Sequence, residues 1–344
     1  MSPKTNNANF PQFRNWLASP GPFTESPRCI SRDTRQELIS SIIDVIHAFY
    51  LHQDTAAQLI DRFRAHATSG RYDEIAFGPE LAEAITQDLQ ALSGDKHFRC
   101  IFGVSPDEPG KDEQQLRLQK IHYGFGEVKI LDGGIAFVEI NLFAPVTWDG
   151  VRGKIQDVMQ TVVPADALII DLRKCRGGDP QTVALLASHL IRISDSDSSN
   201  DPNDSHKIWL KFVDPSTGAI EKIHTPAPPA SQSFSPEKLL YILTSASTIS
   251  GGEDLAYGLR ARKRATVVGD TTAGAANLPR PTFLPDGFVL WVPHRYPVCP
   301  GTGGNWEGVG VKPDVLCDAE GAFEKAVKLA MEVLGVRRSN RLGV

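Results

Sequence analysis

Apolar residues in the first third of the chain recur at helical spacing. In ELISSIIDVIHAFYL, the apolar positions from Leu38 to Phe49 fall on one face of a helix. AAQLIDRFRAHA and PELAEAITQDLQALSG show the same period, and glycines stand where these two helices should end. The pattern predicts a polar, extended N-terminal arm over residues 1–33. A helical lead domain over 34–110, built as a small bundle of three amphipathic helices, follows it.

From about residue 120 the pattern changes to short apolar runs. VKILDGGIAFVEINLF predicts a hairpin, and ADALIIDLR, LLYILTSAS and ATVVGD are typical of strands buried on both faces. Helical patterns follow two of them, in PQTVALLASHLIRI and EDLAYGLRAR. KIWLKFV predicts another strand, FVLWVPHRYPV an exposed or edge strand, and AFEKAVKLAMEVLG a closing helix. Repeated strand–helix units predict an α/β core over 120–335.

Composition narrows the class of protein. Apolar residues make up 41% and charged residues 22%, as in an ordinary globular protein, and 194–205 is a low-complexity acidic loop. The net charge of −5, without a dense Lys/Arg block, argues against nucleic acid as a partner. No apolar run reaches the roughly 18 residues of a membrane span. The N-terminus lacks the apolar stretch of a signal peptide, so we expect a cytoplasmic protein with no membrane partner.

The cysteines give no indication of a metal site. The five of them are widely separated, and no Cys/His cluster has zinc-ligand spacing. We therefore expect free thiols in a reducing compartment, and neither a metal nor a cofactor.

A serine at a strand–helix junction is the first candidate for chemistry. In TISGGEDLA, Ser250 lies between a predicted strand end and a helix start, where main-chain N–H groups and the helix dipole favour negative charge. Gly251 and Gly252 would let a substrate carbonyl approach closely. However, Ser250 and Glu253 also fit a capping box, which would only begin a helix. The GxSxG elbow of α/β-hydrolases is absent.

A second candidate turn is DLRKCRGGD, from Asp171 to Asp179. It follows a buried strand, and such loops carry ligand sites in α/β sheets. Gly177 or Gly178 could supply an oxyanion donor, although two glycines also suit a tight turn. On the residues alone, both interpretations stay open.

Taken in order, ALIIDLRKCRGG, YILTSASTISGGEDLAYGLRARKRATVVGDTTAGAA and NWEGVGVKPDV resemble the tail-specific (C-terminal-processing) and tricorn-type serine peptidases. Within them, the branch containing interphotoreceptor retinoid-binding protein is the most similar. The resemblance implies a spiral β-β-α core of the Clp-protease/crotonase type. It also implies that Ser250 is the nucleophile, that Gly251 is one oxyanion donor, and that Gly178, in preference to Gly177, is the other.

The resemblance also bears on the catalytic base. Tail-specific members use a lysine, and Ala275 stands at that position here. Tricorn-type members use a histidine and a downstream glutamate, which correspond to His97 and Glu307. His122 is the alternative base, and the residues alone do not rank His97, His122 and His294. Cys175 occupies a position where the family often has asparagine, and it would shape the oxyanion loop or face the substrate.

Three functions follow from this pattern. The first is a serine peptidase or amidase acting on peptides, and the second is a non-proteolytic binder of a small apolar molecule. The third is a repurposed enzyme, such as an esterase or cyclase, that uses the same pocket for a small metabolite. Fold alone does not separate them. An intact Ser/His/Glu set favours an enzyme, the missing PDZ-like insertion argues against simple tail recognition, and an oligomer is left open.

Overall fold

The computed structural model describes residues 29–103, 111–191 and 208–342; for 111–114 and 336–342 it describes the backbone alone. Most of the predicted arm and the acidic loop 194–205 lie outside these residues. The helices in the described part are α1 Arg32–Phe49, α2 Gln53–Thr68, α3 Gly78–Ser93, α4 Lys111–Lys120, α5 Val151–Val162, α6 Pro180–Ser188, α7 Gly251–Ala261 and α8 Ala322–Leu342. The strands are β1 Arg99–Phe102, β2 Phe125–Leu131, β3 Ile135–Ile140, β4 Ala167–Asp171, β5 Ile208–Val213, β6 Ile220–His224, β7 Leu239–Thr244, β8 Thr266–Gly269, β9 Leu278–Phe283, β10 Phe288–Val298 and β11 Val315–Leu316.

Six strands form the main sheet, in the order β11-β8-β7-β4-β3-β2. The predicted hairpin is the antiparallel pair β2–β3, and the other neighbouring pairs are parallel. The apolar runs predicted as buried strands are β4, β7 and β8, side by side in the sheet. Because parallel strands end at one edge, the loops after β3, β4, β7 and β8 meet there, where ligands bind in α/β sheets.

A second sheet has the order β1-β10-β5-β6, with β9 also paired to β10. The prediction that FVLWVPHRYPV is an exposed or edge strand is wrong. This segment is β10, which pairs with β1 and β9 over its first part and with β5 over its last part. Its polar His294 and Arg295 lie at a register shift between β9 and β10, so they do not mark a solvent-facing edge.

The lead helices share their core with this second sheet. Buried residues of α1, α2 and α3 pack in one cluster with Phe288, Leu290 and Val292 of β10. The three helices are therefore not a self-contained bundle, because the apolar face they bury is completed by a strand from far along the chain. Strand β1 follows α3 and enters the same sheet, so the lead segment is tied to the core by backbone pairing as well.

Two elements differ in length from the sequence prediction. Helix α6 ends at Ser188, before the predicted LIRI portion, and α8 continues to Leu342. No helix in the described ranges is both long and apolar enough to cross a membrane.

Candidate active site

Ser250 lies at the start of α7, directly after the loop that leaves β7. It occupies the N-cap position, as the capping alternative predicts, but its φ of 56° and ψ of −119° differ from the extended backbone that N-caps usually adopt. A non-glycine residue at such a φ costs on the order of 1–3 kcal/mol and persists only where its surroundings impose it. The half-buried Ser250 is therefore held in a strained turn, a common property of functional residues.

The fully buried carboxylate of Glu253 holds this turn in place. It accepts hydrogen bonds from the N–H of Ser250 at 2.9 Å and of Ala275 at 2.9 Å. It also accepts from the N–H of Gly274 at 2.6 Å and the hydroxyl of Thr272 at 2.5 Å. Burial raises the pKa of Glu253, whereas these hydrogen bonds act in the opposite direction. The glutamate of the capping box thus ties the loop after β8 to the serine.

Gly178 and Gly251 lie against each other beside Ser250. The main-chain nitrogen of Gly178 lies 3.0 Å from the position that a Cβ on Gly251 would take. A Cβ on Gly178 would lie 2.1 Å from the carbonyl oxygen of Phe143, and its φ is +133°, so only glycine fits there. Within the described part of the chain, neither glycine N–H donates a hydrogen bond. Two adjacent, unused N–H groups are what an oxyanion hole requires.

Gly177 and Cys175 lie behind this pair. The carbonyl of Gly177 accepts from the N–H of Phe143 at 2.8 Å, which anchors the turn. Cys175 is fully buried, and its thiol packs 3.1 Å from where a Cβ on Gly252 would lie. Burial raises the pKa of Cys175 to about 12, so the thiol is neutral. The structure places Cys175 beneath the loop and not on the wall of the cleft.

His97 follows α3 and lines the same cleft as Ser250. It is buried, and neither ring nitrogen has a hydrogen-bond partner among the described residues. Burial lowers the pKa of His97, and the negative charge of Asp95 acts in the opposite direction. The imidazole is therefore neutral near pH 7, the form that accepts a proton.

Two carboxylates, those of Glu307 and Asp95, lie close to this histidine. The Glu307 carboxylate accepts from the N–H of Ala276 at 2.6 Å and of Asn277 at 2.9 Å. Asp95 accepts from the N–H of His97 at 2.8 Å and from the Asn277 amide at 2.8 Å, and its Oδ1 lies 3.8 Å from the His97 Nδ1. The side-chain donor atoms of Asp95, His97 and Glu307 all lie within 4.8 Å of one another. One nitrogen and two carboxylates could also hold a divalent cation.

The electrostatics of this group follow from the proximity of its acids. Burial, and then the negative charge of Asp95, raise the pKa of Glu307 to about 7. Sequence reasoning missed Asp95. A carboxylate two residues before the proposed base, in SGDKH, was the available signal.

The other histidines with some sequence context lie elsewhere. His122 is exposed, with a φ of 50°, in the turn before β2, and it does not line the cleft. The Nδ1 of His294 is 2.9 Å from the carbonyl oxygen of Leu278, and burial lowers its pKa to about 4. Ala275 donates its N–H to Glu253 and accepts from the Trp306 indole at 3.1 Å, so its backbone supports the site.

The cleft has a volume of about 520 Å³, including its opening to solvent. The main sheet and its loops supply Ser250 and Gly178, and the second sheet supplies Leu210, Phe212 and Trp291. The complete lining is His97, Gly178, Pro180, Leu210, Phe212, Ser250, Gly251, Asp254, Ala276, Asn277, Leu278, Pro279, Trp291 and Trp306. The site therefore lies between the two sheets, with apolar walls around a few polar groups, as in most small-molecule and peptide sites.

Comparison with known families gives the class of protein. Residues 134–317, more than half of the chain, match the model of peptidase family S41. Residues 31–122 match the N-terminal domain of Peptidase_S41 in eukaryotic IRBP. The chain belongs to peptidase family S41, and its lead segment is of the IRBP type, so the resemblance stated from sequence is confirmed.

Solved structures support the fold. A lipoprotein from Streptococcus agalactiae has a TM-score of 0.57 at 16% identity, with 90% of this chain and 98% of that chain covered. The photosystem II D1 C-terminal processing protease has a TM-score of 0.50 at 14% identity, covering 83% and 94%. The tricorn protease has a TM-score of 0.54 at 12% identity, covering 88% of this chain and 37% of that chain. The predicted α/β fold, with N-terminal helices before a core of the Clp-protease type, is confirmed.

Proposed function

We propose that this chain is a serine hydrolase of the peptidase type, with Ser250 as nucleophile, His97 as base and Glu307 as the group that orients the base. One observation carries the proposal. Ser250 with its neighbour Gly251, His97 and Gly178 come from three separate segments of the chain and line a single cleft. Acyl transfer needs a nucleophile, a base and two oxyanion donors in one place.

These positions support the following reaction. The Ser250 hydroxyl attacks the substrate carbonyl carbon while the neutral His97 takes the hydroxyl proton. The oxyanion accepts hydrogen bonds from the N–H groups of Gly178 and Gly251, which need no reorganisation. His97 then gives its proton to the leaving amine, and water attacks the acyl-enzyme by the reverse sequence of steps. Glu307 and Asp95 stabilise the imidazolium form.

The alternatives use the same cleft. Its walls of Leu210, Phe212, Trp291 and Trp306 favour an apolar ligand group, which suits a small-molecule binder or an esterase as well as a peptidase. A binder, however, has no use for a strained serine beside two free N–H groups. Substrates are peptides or small molecules with an acyl group, and no cofactor takes part.

Labelling with a fluorophosphonate probe tests the proposal. We expect the probe to label the wild-type protein at Ser250, and we expect Ser250→Ala to abolish labelling. Ser247→Ala is the matched control, because Ser247 is an exposed serine in the same loop and outside the cleft. Labelled peptide mapping by mass spectrometry identifies the modified residue. A folded wild-type protein that resists the probe would favour the binder.

A further inference from the structure

Asp254 is an acidic side chain in the cleft that acyl transfer does not use. It lies four residues after Ser250 on α7, so both residues are on one helical face and line the same cleft. Asp254 is 3% exposed. Its Oδ1 accepts from the Trp209 indole N–H at 2.9 Å, whereas its Oδ2 has no hydrogen-bond partner in the described part of the chain.

A structural role explains only one of the two oxygens of this carboxylate. Accepting from Trp209 needs one oxygen, and a neutral amide would serve it equally well. The other oxygen is buried without a partner, which is costly in a folded protein. Burial raises the pKa of Asp254 to about 7, with the Trp209 hydrogen bond and the charge of Arg262 acting against it. A positively charged partner at Oδ2 would remove this penalty.

Arg262, the cation whose charge acts on Asp254, makes its hydrogen bonds elsewhere. The guanidinium of Arg262 lies 4.5 Å from the centre of the Trp209 ring and donates to the carbonyls of Gly258, Ile208 and Trp209. Among the residues that line the cleft, His97 and Asp254 are the ionisable ones, and His97 is neutral near pH 7. A cation at Oδ2 would therefore have to come with the ligand.

The walls around Asp254 define the rest of that ligand group. Leu210, Phe212 and Trp306 line the cleft with it, so an aliphatic stem would pack there while aromatic faces attract a cation. Four residues of helix separate Asp254 from Ser250, a rise of about 6 Å. That rise is comparable to the length of an extended four-carbon chain that ends in a nitrogen.

We propose that Asp254 sets the substrate preference of this cleft by binding a cationic group, a primary amine or guanidinium, at the end of an aliphatic stem. A lysine or arginine side chain beside the bond to be cleaved fits this description. The inference rests on the proposed function, because it names the substrate class of the Ser250 site. It assigns Asp254 to substrate binding and gives it no part in the chemistry.

Binding to the Ser250→Ala protein tests the inference without requiring turnover. Two short peptides that differ only in lysine or norleucine are titrated by calorimetry, since these side chains share the stem and differ in charge. We expect the lysine peptide to bind about 30-fold more tightly, because burying one member of an ion pair alone is strongly penalised. Adding Asp254→Asn should bring the two affinities together. Asp157→Asn, an exposed acid on α5, should leave the ratio unchanged.

The preference of the Ser250→Ala protein, in which Asp254 is intact, decides the matter even if the protein with Asp254→Asn added does not fold. Equal affinity for both peptides, or a lysine preference that survives in Asp254→Asn, overturns the inference. Fluorophosphonate labelling is read separately. If the probe labels Ser250 but the lysine peptide is not preferred, the inference about Asp254 is wrong and the proposed hydrolase function stands. Lysine preference without labelling supports Asp254 as the cation site and removes hydrolysis.

Discussion

At the scale of the residue, four hydrogen-bond donors converge on the Glu253 carboxylate, three positions after Ser250. In sequence, this glutamate is the last residue of a capping box, and a capping box begins many helices that have no catalytic role. The donors from Thr272, Gly274 and Ala275 come from the loop after β8, which no local pattern connects to Ser250. The sequence could therefore name the serine but could not separate an ordinary helix cap from a strained serine that lines a cleft.

The raised pKa of Glu307 gives a prediction for stability against pH. Its pKa is about 7 in the folded protein against an ordinary value of 4.5, so the folded state binds the proton more tightly. The protonated Glu307 therefore stabilises the folded state relative to the ionised form by about 3 kcal/mol. This stabilisation is fully present below about pH 4.5 and is lost as the pH rises towards about 7. His97, whose pKa is lowered, contributes in the opposite direction.

Comparing the free energy of unfolding of a variant with that of the wild type isolates the effect of Glu307. Relative to wild type, Glu307→Gln should gain free energy of unfolding between pH 5 and pH 8, as measured by urea titration at each pH. Glu332→Gln, an exposed glutamate on α8, is the control and should follow the wild-type curve. A constant difference across this range would mean that Glu307 titrates normally.

The same residue should shape the activity profile. Because burial keeps the His97 imidazole neutral, its protonation does not limit the rate near pH 7. Instead, the rate should rise as Glu307 ionises near pH 7, since a charged carboxylate stabilises the imidazolium. Asp95, which sequence reasoning missed, takes part because its charge helps to raise the Glu307 pKa.

At the scale of the element, β10 carries more of the structure than its sequence indicates. Its prolines, His294 and Arg295 read as marks of an exposed strand, yet β1, β5 and β9 pair with it. A long strand can change partners along its length, and Pro293 lies after the last residue paired with β1 and before the first paired with β5. Proline also explains why the sequence did not predict strand β9, LPRPTF. Its two prolines do not suit a central strand, and among the described residues β9 pairs with β10 alone.

A substitution in β10 tests how much this strand contributes to the stability of the fold. Leu290 is fully buried in the cluster shared with the lead helices, so Leu290→Ala should lower the free energy of unfolding by about 2–5 kcal/mol. Leu316→Ala makes the same chemical change on β11, where the side chain is 74% exposed, and should change it by less than about 0.5 kcal/mol. Urea unfolding followed by circular dichroism gives both values. Equal small effects would argue against the buried position of β10.

The buried strands β4, β7 and β8 could be predicted from the sequence, because a strand covered on both faces is a continuous apolar run. The order of these strands in the sheet could not be predicted, since it depends on pairings between distant segments. The same holds for the site. Ser250 and Gly178 each follow a predictable strand, whereas the placement of His97 depends on the pairing of β1 with β10.

At the scale of the whole molecule, the lead helices and the core share buried residues, so we expect them to unfold together. The side chain of Ile42 in α1 is fully buried in the cluster that includes β10. Two of the five tryptophans, Trp209 and Trp306, lie in the separate cluster around the main sheet, whereas Trp291 lies on β10. Ile42→Ala should therefore lower the midpoint seen by tryptophan emission as much as the midpoint seen by circular dichroism. An early dichroism change that leaves most of the tryptophan emission unaltered would show two independent units.

The position of the cleft between two sheets has a consequence during synthesis. The residues proposed for catalysis appear in the order His97, Ser250, Glu307, and β10, which holds the strand after His97, is made between the last two. A growing chain at the ribosome thus carries His97 and Ser250 before it has β10, which pairs with the strand after His97, and before it has Glu307. On the proposed function, hydrolysis requires synthesis as far as Glu307, so we expect chains that stop before β10 to be inactive.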